Sequence, residues 1–118
     1  MAKTIVIFEQ DQDVKDIMEY VLKDSGYEVA ITNSNVFDIN ISKCKPDLIL
    51  LDYRLTKPSC PSLLDILRSR NDNEQVPVIL TTTENQPEKI AHEVDADDVL
   101  PKPFDLDDLV QKVSYWVK

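Results

Sequence analysis

Polar residues that could do chemistry follow directly after apolar runs at four places in the sequence. "EQD" at residues 9–11 ends the first run, Asp52 ends "LILLD", "TTTE" at residues 81–84 ends another, and Lys102 follows the last. Carboxylates that lie close together repel one another unless a cation lies among them, and oxygen ligands favour a hard ion such as Mg²⁺. A carboxylate beside Mg²⁺ can attack phosphorus, and a lysine can hold a phosphoryl oxygen. These residue types therefore suggest the formation of an aspartyl phosphate.

The four places can act together only if the fold brings them to one edge of a sheet. Uninterrupted apolar runs cover residues 5–8, 48–51 and 78–80, and weaker ones cover residues 27–31 and 99–100. Such runs are typical of strands that are buried on both faces of a parallel sheet. Helical patterns separate them, which predicts an open α/β sheet with helices on both faces. Ligands bind at the carboxyl ends of the strands in such sheets, where the polar residues are expected to meet.

The first helical pattern follows the acidic cluster. Asp11 or Asp13 can cap the start of this helix, and Gly26 suits the left-handed residue after its end. Five apolar residues are expected on one face of it: Val14, Ile17, Met18, Val21 and Leu22.

Three further helices are predicted. One begins near Pro61 and covers residues 61–67, and another has Pro87 in its first turn. The last helix is capped by Asp105, and a weaker helical pattern covers residues 35–43. The apolar positions of the helix that contains Pro87 are Ile90, Ala91 and Val94. Those of the last helix are Leu106, Leu109, Val110, Val113 and Val117.

The composition excludes several classes of function. A chain of 118 residues forms one domain, and its net charge of −9 argues against binding nucleic acid. A single histidine excludes a multi-histidine metal site, and the single glycine, Gly26, argues against loops that bind nucleotides. Cys44 and Cys60 are expected to be free thiols. No apolar run approaches the ~20 residues of a membrane helix, and no signal peptide is evident, so we expect a cytoplasmic protein.

Three segments, "PDLILLDYRL", "VPVILTTTE" and "DADDVLPKPF", resemble the receiver domain of two-component response regulators, together with the acidic cluster after the first strand. The resemblance covers essentially the whole chain. It implies that residues 1–118 form one receiver domain. The implied fold is a doubly wound (flavodoxin-like) α/β fold with a five-stranded parallel sheet of order 2-1-3-4-5. It further implies a non-enzymatic phosphoacceptor signalling domain, phosphorylated by a sensor histidine kinase or phosphotransfer protein and read by a downstream protein partner, with no contact to nucleic acid or membrane.

The resemblance also assigns roles to residues. Asp52 would be the phosphoacceptor, Thr82 the switch hydroxyl that bonds the phosphoryl group, and Lys102 the lysine that pairs with it. The bond between Lys102 and Pro103 would be cis, as it usually is in the family, and proline makes this isomer accessible.

The expected cofactor is Mg²⁺, and its pocket departs from the family pattern. Glu9, Asp52 and the backbone carbonyl of Arg54 would be ligands, but the second acidic position of the pocket is Gln10. A neutral amide oxygen attracts the ion far less than a carboxylate does. We therefore expect weaker Mg²⁺ binding than in a typical receiver, and Asp11 is not expected to compensate fully.

The switch and the loops depart from the pattern as well. Val99 occupies the position of the aromatic switch residue, so it either relays the switch differently or only packs in the core. Arg54 and Glu84 occupy two positions that influence the lifetime of the phosphoryl group. They are expected either to bridge over the site or to form an exposed ion pair of ~0–1 kcal/mol. Other unusual residues are Thr56, Cys60, Thr83 and Asp95.

Two alternatives remain open at the level of sequence. The first is a pseudo-receiver, a protein interaction module that acts without phosphorylation, which Gln10 and Val99 favour and the set of Asp52, Thr82 and Lys102 opposes. The second is a small phosphatase or a flavodoxin-like redox protein, which would need a glycine-rich phosphate loop and a second catalytic acid that the sequence lacks.

Overall fold

A computed structural model describes residues 2–32, 46–53, 76–93 and 96–117. Five strands in these ranges form one parallel sheet of order β2-β1-β3-β4-β5, as predicted. The strands are β1 (Thr4–Phe8), β2 (Glu28–Thr32), β3 (Leu48–Asp52), β4 (Val78–Thr82) and β5 (Asp98–Pro101). The described helices are α1 (Gln12–Asp24), α2 (Pro87–Glu93) and α3 (Leu106–Trp116). The helices predicted over residues 61–67 and 35–43 lie outside the described residues.

Alternate residues of each strand face opposite sides of the sheet and build two separate cores. Helix α2 covers the first core and helices α1 and α3 cover the second, which confirms the prediction of helices on both faces. The first core contains Val6, Phe8, Ile49, Leu51, Val78, Leu80, Ala91 and Val99. The second contains Ile5, Ile7, Met18, Leu22, Leu48, Leu50, Ile79, Leu100, Leu109, Val113 and Val117.

The N-cap of α1 and the left-handed residue after its end are residues that the sequence analysis named. Asp11 is the N-cap, and its Oδ1 accepts hydrogen bonds from the backbone N–H groups of Asp13 (2.9 Å) and Val14 (3.3 Å). Gly26 lies in the left-handed region with φ 97°, which a side chain would disfavour. The start and end of this helix, directly after the first strand, are therefore determined locally.

Two residues at apolar positions of the predicted helices are exposed. Ile17 in α1 is 48% exposed and Leu106 at the start of α3 is 44% exposed, although other apolar residues of the same helices are buried. Asp105 is the N-cap residue of α3 as predicted, but its side chain makes no capping hydrogen bond. Pro87 is the first residue of α2, in the first turn as predicted. None of the helices in the described ranges is long and apolar enough to cross a membrane.

Carboxylates at the amino end of the sheet hold neighbouring strands together. Asp47 Oδ2 accepts a hydrogen bond from Thr4 N (2.8 Å), and Asp47 N donates to Thr4 O (2.8 Å). Asp97 forms the same two bonds with Val78, at 2.7 Å and 2.9 Å. Each carboxylate therefore satisfies the first backbone N–H group of the adjacent strand.

A third carboxylate at this end of the sheet joins β5 to α3. Asp98 accepts hydrogen bonds from Trp116 Nε1 (2.8 Å), from Lys112 Nζ (3.1 Å) and from the Val99 N–H group (2.7 Å). Partial burial alone would raise the pKa of Asp98, but these hydrogen bonds and the charge of Lys112 outweigh it, so the pKa lies below its usual value.

Candidate functional site

Three charged residues meet at the carboxyl end of the sheet because each continues the inward-facing positions of its strand. Glu9 follows β1, Asp52 ends β3 and Lys102 follows β5, all on the side covered by α1 and α3. Lys102 Nζ lies 2.8 Å from Glu9 Oε1 and 3.6 Å from Asp52 Oδ2. The convergence that the sequence predicted for these three residues is confirmed.

The two carboxylates are buried and share a single lysine. Glu9 is 3% exposed and Asp52 only 1%, and Glu9 Oε2 also accepts a hydrogen bond from Asp11 N at 3.1 Å. Burial raises the pKa of Glu9, and a side-chain hydrogen bond with Asp52 raises it further, while Lys102 and the Asp11 N–H group oppose the shift. The fold thus places two carboxyl groups beside one ammonium group and opposes the charge of Glu9, an arrangement that a further cation would stabilise.

Thr82 and Lys102 are held next to each other by the backbone. Thr82 O accepts a hydrogen bond from Lys102 N at 2.7 Å, and the Lys102–Pro103 bond is cis, as predicted. Thr82 is buried, and its Oγ1 accepts a hydrogen bond from Glu84 N at 3.0 Å. The Thr82 hydroxyl group acts as an acceptor in that contact, so its own proton stays available for donation to another group.

Thr81, the residue before Thr82, was not identified as a site residue in the sequence analysis. Thr81 lies directly across from Asp52 in the register of β3 and β4 and is 1% exposed. Its Oγ1 has no hydrogen-bond partner within the part of the chain that the structure describes. The alternation of β4 could have identified this residue, because it places Thr81 two positions after buried Ile79 on the same face.

The predicted metal ligands are only partly assembled by described residues. No group of three His, Cys, Asp or Glu residues that could hold a metal occurs in the described ranges. Glu9 and Asp52 supply two buried carboxylates, Gln10 is exposed, and the Asp11 carboxylate caps α1. Arg54 lies outside the described residues. These two carboxylates fit a hard divalent cation. The cation would have fewer charged ligands here than in a pocket with three carboxylates.

The other predicted site residues lie around this centre. Val99 is 6% exposed and packs in the core beneath α2, and Glu84 is exposed on the loop after β4. The bridge predicted between Glu84 and Arg54 involves a residue outside the described ranges. Thr56, Cys60 and Asp95 are likewise outside the described residues, whereas Thr83 is exposed beside Lys102.

An apolar groove with a volume of about 530 Å³ opens beside the site. Exposed Ile17 and Leu106 contribute to it, so these two apolar helix positions belong to one surface feature. The sequence analysis missed this groove because residues at its border follow the same helical periodicity as core residues. The full lining of the groove is Val14, Ile17, Thr83, Lys102, Pro103, Phe104 and Leu106.

Comparison with known proteins identifies the family. A family model of the response regulator receiver domain matches residues 5–114, and the chain belongs to this family of two-component signal transduction proteins. The signal receiver domain of a histidine kinase from Syntrophus aciditrophicus is 26% identical with a TM-score of 0.82, covering 98% of this chain and 90% of that chain.

Two further solved structures share the fold at lower identity. The receiver domain of a sensor histidine kinase from Pseudomonas aeruginosa, which has a magnesium ion coordinated in its active-site cleft, is 21% identical with a TM-score of 0.84. The alignment covers 99% of this chain and 98% of that chain. A chemotaxis response regulator of Vibrio cholerae is 20% identical with a TM-score of 0.81, covering 98% of both chains.

Proposed function

We propose that this chain is a phosphoacceptor domain that receives a phosphoryl group on Asp52 in a Mg²⁺-dependent reaction. The observation that carries the proposal is the pairing of two buried carboxylates, Glu9 and Asp52, with the single lysine Lys102 at 2.8 Å and 3.6 Å. A buried strand holds Asp52 rigidly, and phosphoryl transfer depends mostly on positioning and charge stabilisation. The phosphoryl donor would be a sensor histidine kinase or a phosphotransfer protein.

Glu9, Gln10, Asp52 and the backbone carbonyl of Arg54 would hold the Mg²⁺ ion. The ion would supply charge neutralisation at the phosphoryl oxygens. Lys102 would pair with a phosphoryl oxygen as a point cation, which requires it to loosen its contact with Glu9. Because Gln10 is neutral, we expect a weaker affinity for Mg²⁺ than a third carboxylate would give.

The proposed switch begins at Thr82. A phosphoryl group adds about −1.5 to −2 charges at this end of the sheet, and the Thr82 proton can be donated to it. Since Thr82 Oγ1 also binds Glu84 N, a movement of Thr82 would displace the loop between β4 and α2. Val99 is too short to relay this as an aromatic ring would, so loop displacement would carry the signal. A downstream protein would read the changed surface of α2, β5 and α3.

The remaining features complete the proposal. The whole chain, residues 1–118, would act as one receiver domain without enzymatic activity of its own, in the cytoplasm and without binding nucleic acid or membrane. Arg54 and Glu84 would influence the lifetime of the aspartyl phosphate by shielding it from water. The apolar groove that contains Ile17 and Leu106 adjoins Lys102, and the protein that delivers the phosphoryl group would cover it.

A second candidate function is a pseudo-receiver that binds its partner without phosphorylation. The observation that favours it is the position of the acidic cluster: Gln10 replaces one carboxylate, and the Asp11 carboxylate is already bound to two backbone N–H groups at the start of α1. The conjunction of Asp52, Thr82 and Lys102 at one edge favours the phosphoacceptor.

The test is phosphorylation by acetyl phosphate, with and without Mg²⁺, followed by intact-mass measurement. The wild-type chain should gain one phosphoryl group only when Mg²⁺ is present. Asp52→Asn should gain none, whereas Asp47→Asn, the same change at the amino end of the sheet, should behave as the wild type. A wild-type chain that gains no phosphoryl group from acetyl phosphate or from histidine kinases would support the pseudo-receiver instead.

A further inference from the structure

Thr81 is the one buried hydroxyl group within the described residues whose oxygen has no hydrogen-bond partner. It is 1% exposed, so solvent does not satisfy it either. Removing a hydroxyl group from water without a compensating hydrogen bond is unfavourable, and valine would fill nearly the same volume without that cost. The hydroxyl group of Thr81 therefore does not stabilise the resting fold.

The position of Thr81 indicates what its hydroxyl group can reach. Thr81 pairs with Asp52 on β3 and with Leu100 on β5. Paired residues of neighbouring parallel strands face the same side, so Thr81 and Asp52 lie on the face covered by α1 and α3. Side chains on adjacent strands at such positions are close enough to interact, and rotation about the single χ1 bond of threonine changes the direction of its hydroxyl group.

We propose that Thr81 is a positioning residue for Asp52, an inference that rests on the proposed phosphoacceptor function. Its hydroxyl group donates a hydrogen bond to the Asp52 carboxylate oxygen that does not attack phosphorus. This bond orients the other oxygen towards the phosphoryl donor.

The resting structure explains why the hydrogen bond forms only during the reaction. Asp52 shares a hydrogen bond with Glu9, which follows β1 on the opposite side of β3 from Thr81, so the Asp52 carboxylate is drawn towards β1. Lys102 Nζ lies 2.8 Å from Glu9 and 3.6 Å from Asp52 and holds the two carboxylates together. A cation held by Glu9 and Asp52 would supply positive charge there and weaken the contact between the two carboxyl groups, and Asp52 could then accept a hydrogen bond from Thr81. In the reaction a bond forms between one Asp52 oxygen and phosphorus. The bond from phosphorus to the leaving atom of the donor breaks, and that atom, a histidine nitrogen of a kinase or an oxygen of acetyl phosphate, keeps the electron pair. Thr81 keeps its proton.

The test compares Thr81→Val, which removes the hydroxyl group at nearly constant volume, with Thr81→Ser, which retains it. Phosphorylation rates are measured with acetyl phosphate in Mg²⁺, and thermal unfolding is measured without the phosphoryl donor. Thr81→Val should be phosphorylated about ten-fold more slowly, the value of one lost hydrogen bond, while its unfolding temperature stays equal or rises. Thr81→Ser should retain the wild-type rate within about two-fold on the same basis.

Two controls separate this inference from the proposed function. Thr4→Val makes the same substitution at the opposite end of the sheet and should leave the rate unchanged, and Thr81→Ala should reproduce the slow rate of Thr81→Val. If the wild type is phosphorylated and Thr81→Val reacts equally fast, only the role of Thr81 is refuted. An unfolding temperature that falls in Thr81→Val but not in Thr81→Ser, without a change in rate, would assign the hydroxyl group to stability and also refute it. A wild type that is never phosphorylated overturns both proposals.

Discussion

Carboxylates lie at both ends of the parallel sheet, and their partners differ. At the amino end, Asp47 and Asp97 each bind a backbone N–H group of the neighbouring strand at 2.8 Å and 2.7 Å. At the carboxyl end, Glu9 and Asp52 face each other and a single lysine. Hydrogen bonds from a carboxylate to backbone N–H groups stabilise a fold, whereas two buried carboxylates that share one cation oppose each other. The residues at the amino end therefore maintain the sheet, and those at the carboxyl end are available for chemistry.

The pKa values of the carboxyl groups also differ between the two ends of the sheet. Burial and the contact with Asp52 raise the pKa of Glu9 at the carboxyl end. Despite partial burial, hydrogen bonds from Trp116, Val99 and Lys112 lower the pKa of Asp98 at the amino end. A lowered carboxylate pKa means that the fold stabilises the charge, and a raised pKa means that the fold opposes it.

The largest effect on stability is expected at the amino end. Asp97→Ala removes the acceptor of the Val78 N–H group, and loss of such a charge-assisted hydrogen bond should cost about 1.5–3 kcal/mol of unfolding free energy. Urea unfolding measures this cost, and acetyl phosphate should still phosphorylate the variant in Mg²⁺. The comparison between the two ends would break down if Asp97→Ala kept its stability but lost phosphorylation.

A second variant sharpens the comparison at the carboxyl end. Gln10→Asp adds a third carboxylate to the proposed metal pocket and should tighten Mg²⁺ binding about ten-fold in calorimetric titration, because charge attraction increases. Without Mg²⁺ the same variant should be less stable, because it adds negative charge next to Glu9 in the chain. Gln12→Asp adds an equal charge two residues later in α1 and should change the affinity little. Equal affinities for Gln10→Asp and the wild type would remove the sequence argument for a weakened metal pocket.

The smallest effect is expected in the pH dependence of stability, measured in metal-free buffer. The pKa of Glu9 is raised above its ordinary 4.5, so its favourable contribution is present below pH 4.5 and is lost as the pH rises through the folded value. The pKa of Asp98 is lowered below its ordinary 3.8, so its contribution is present above pH 3.8 and is lost as the pH falls through the folded value.

Two neutral variants separate these contributions. Relative to the wild type, Glu9→Gln should gain stability as the pH rises above 4.5. Asp98→Asn should lose its disadvantage as the pH falls below 3.8. Parallel pH profiles for the two variants would contradict the assignment of opposite charge environments to the two ends.

Much of the fold could be predicted because it depends on local patterns. Uninterrupted apolar runs predicted the strands. Of the two candidate caps, Asp11 and Asp13, the structure uses Asp11, and Gly26 follows the end of α1 in the left-handed region, as predicted. The exposure of Ile17 and Leu106 could not be predicted in this way, because helical periodicity does not indicate where a neighbouring element stops covering a helix. The missing side-chain cap at Asp105 has a similar origin, since residue type permits a cap but does not orient the carboxylate.

The sequence predicted which residues form the site, but it did not predict which side chains contact one another. The sequence alone determined that polar residues end the strands at Glu9, Asp52 and Lys102, because the apolar runs stop there. The strand order then decided that these three meet and that Thr81 lies across from Asp52. Side-chain packing decided that Lys102 lies closer to Glu9 than to Asp52, although Asp52 is on the strand nearer to β5. Such contacts join residues far apart in the chain, and their distances depend on the packing of the whole sheet, which no local pattern encodes.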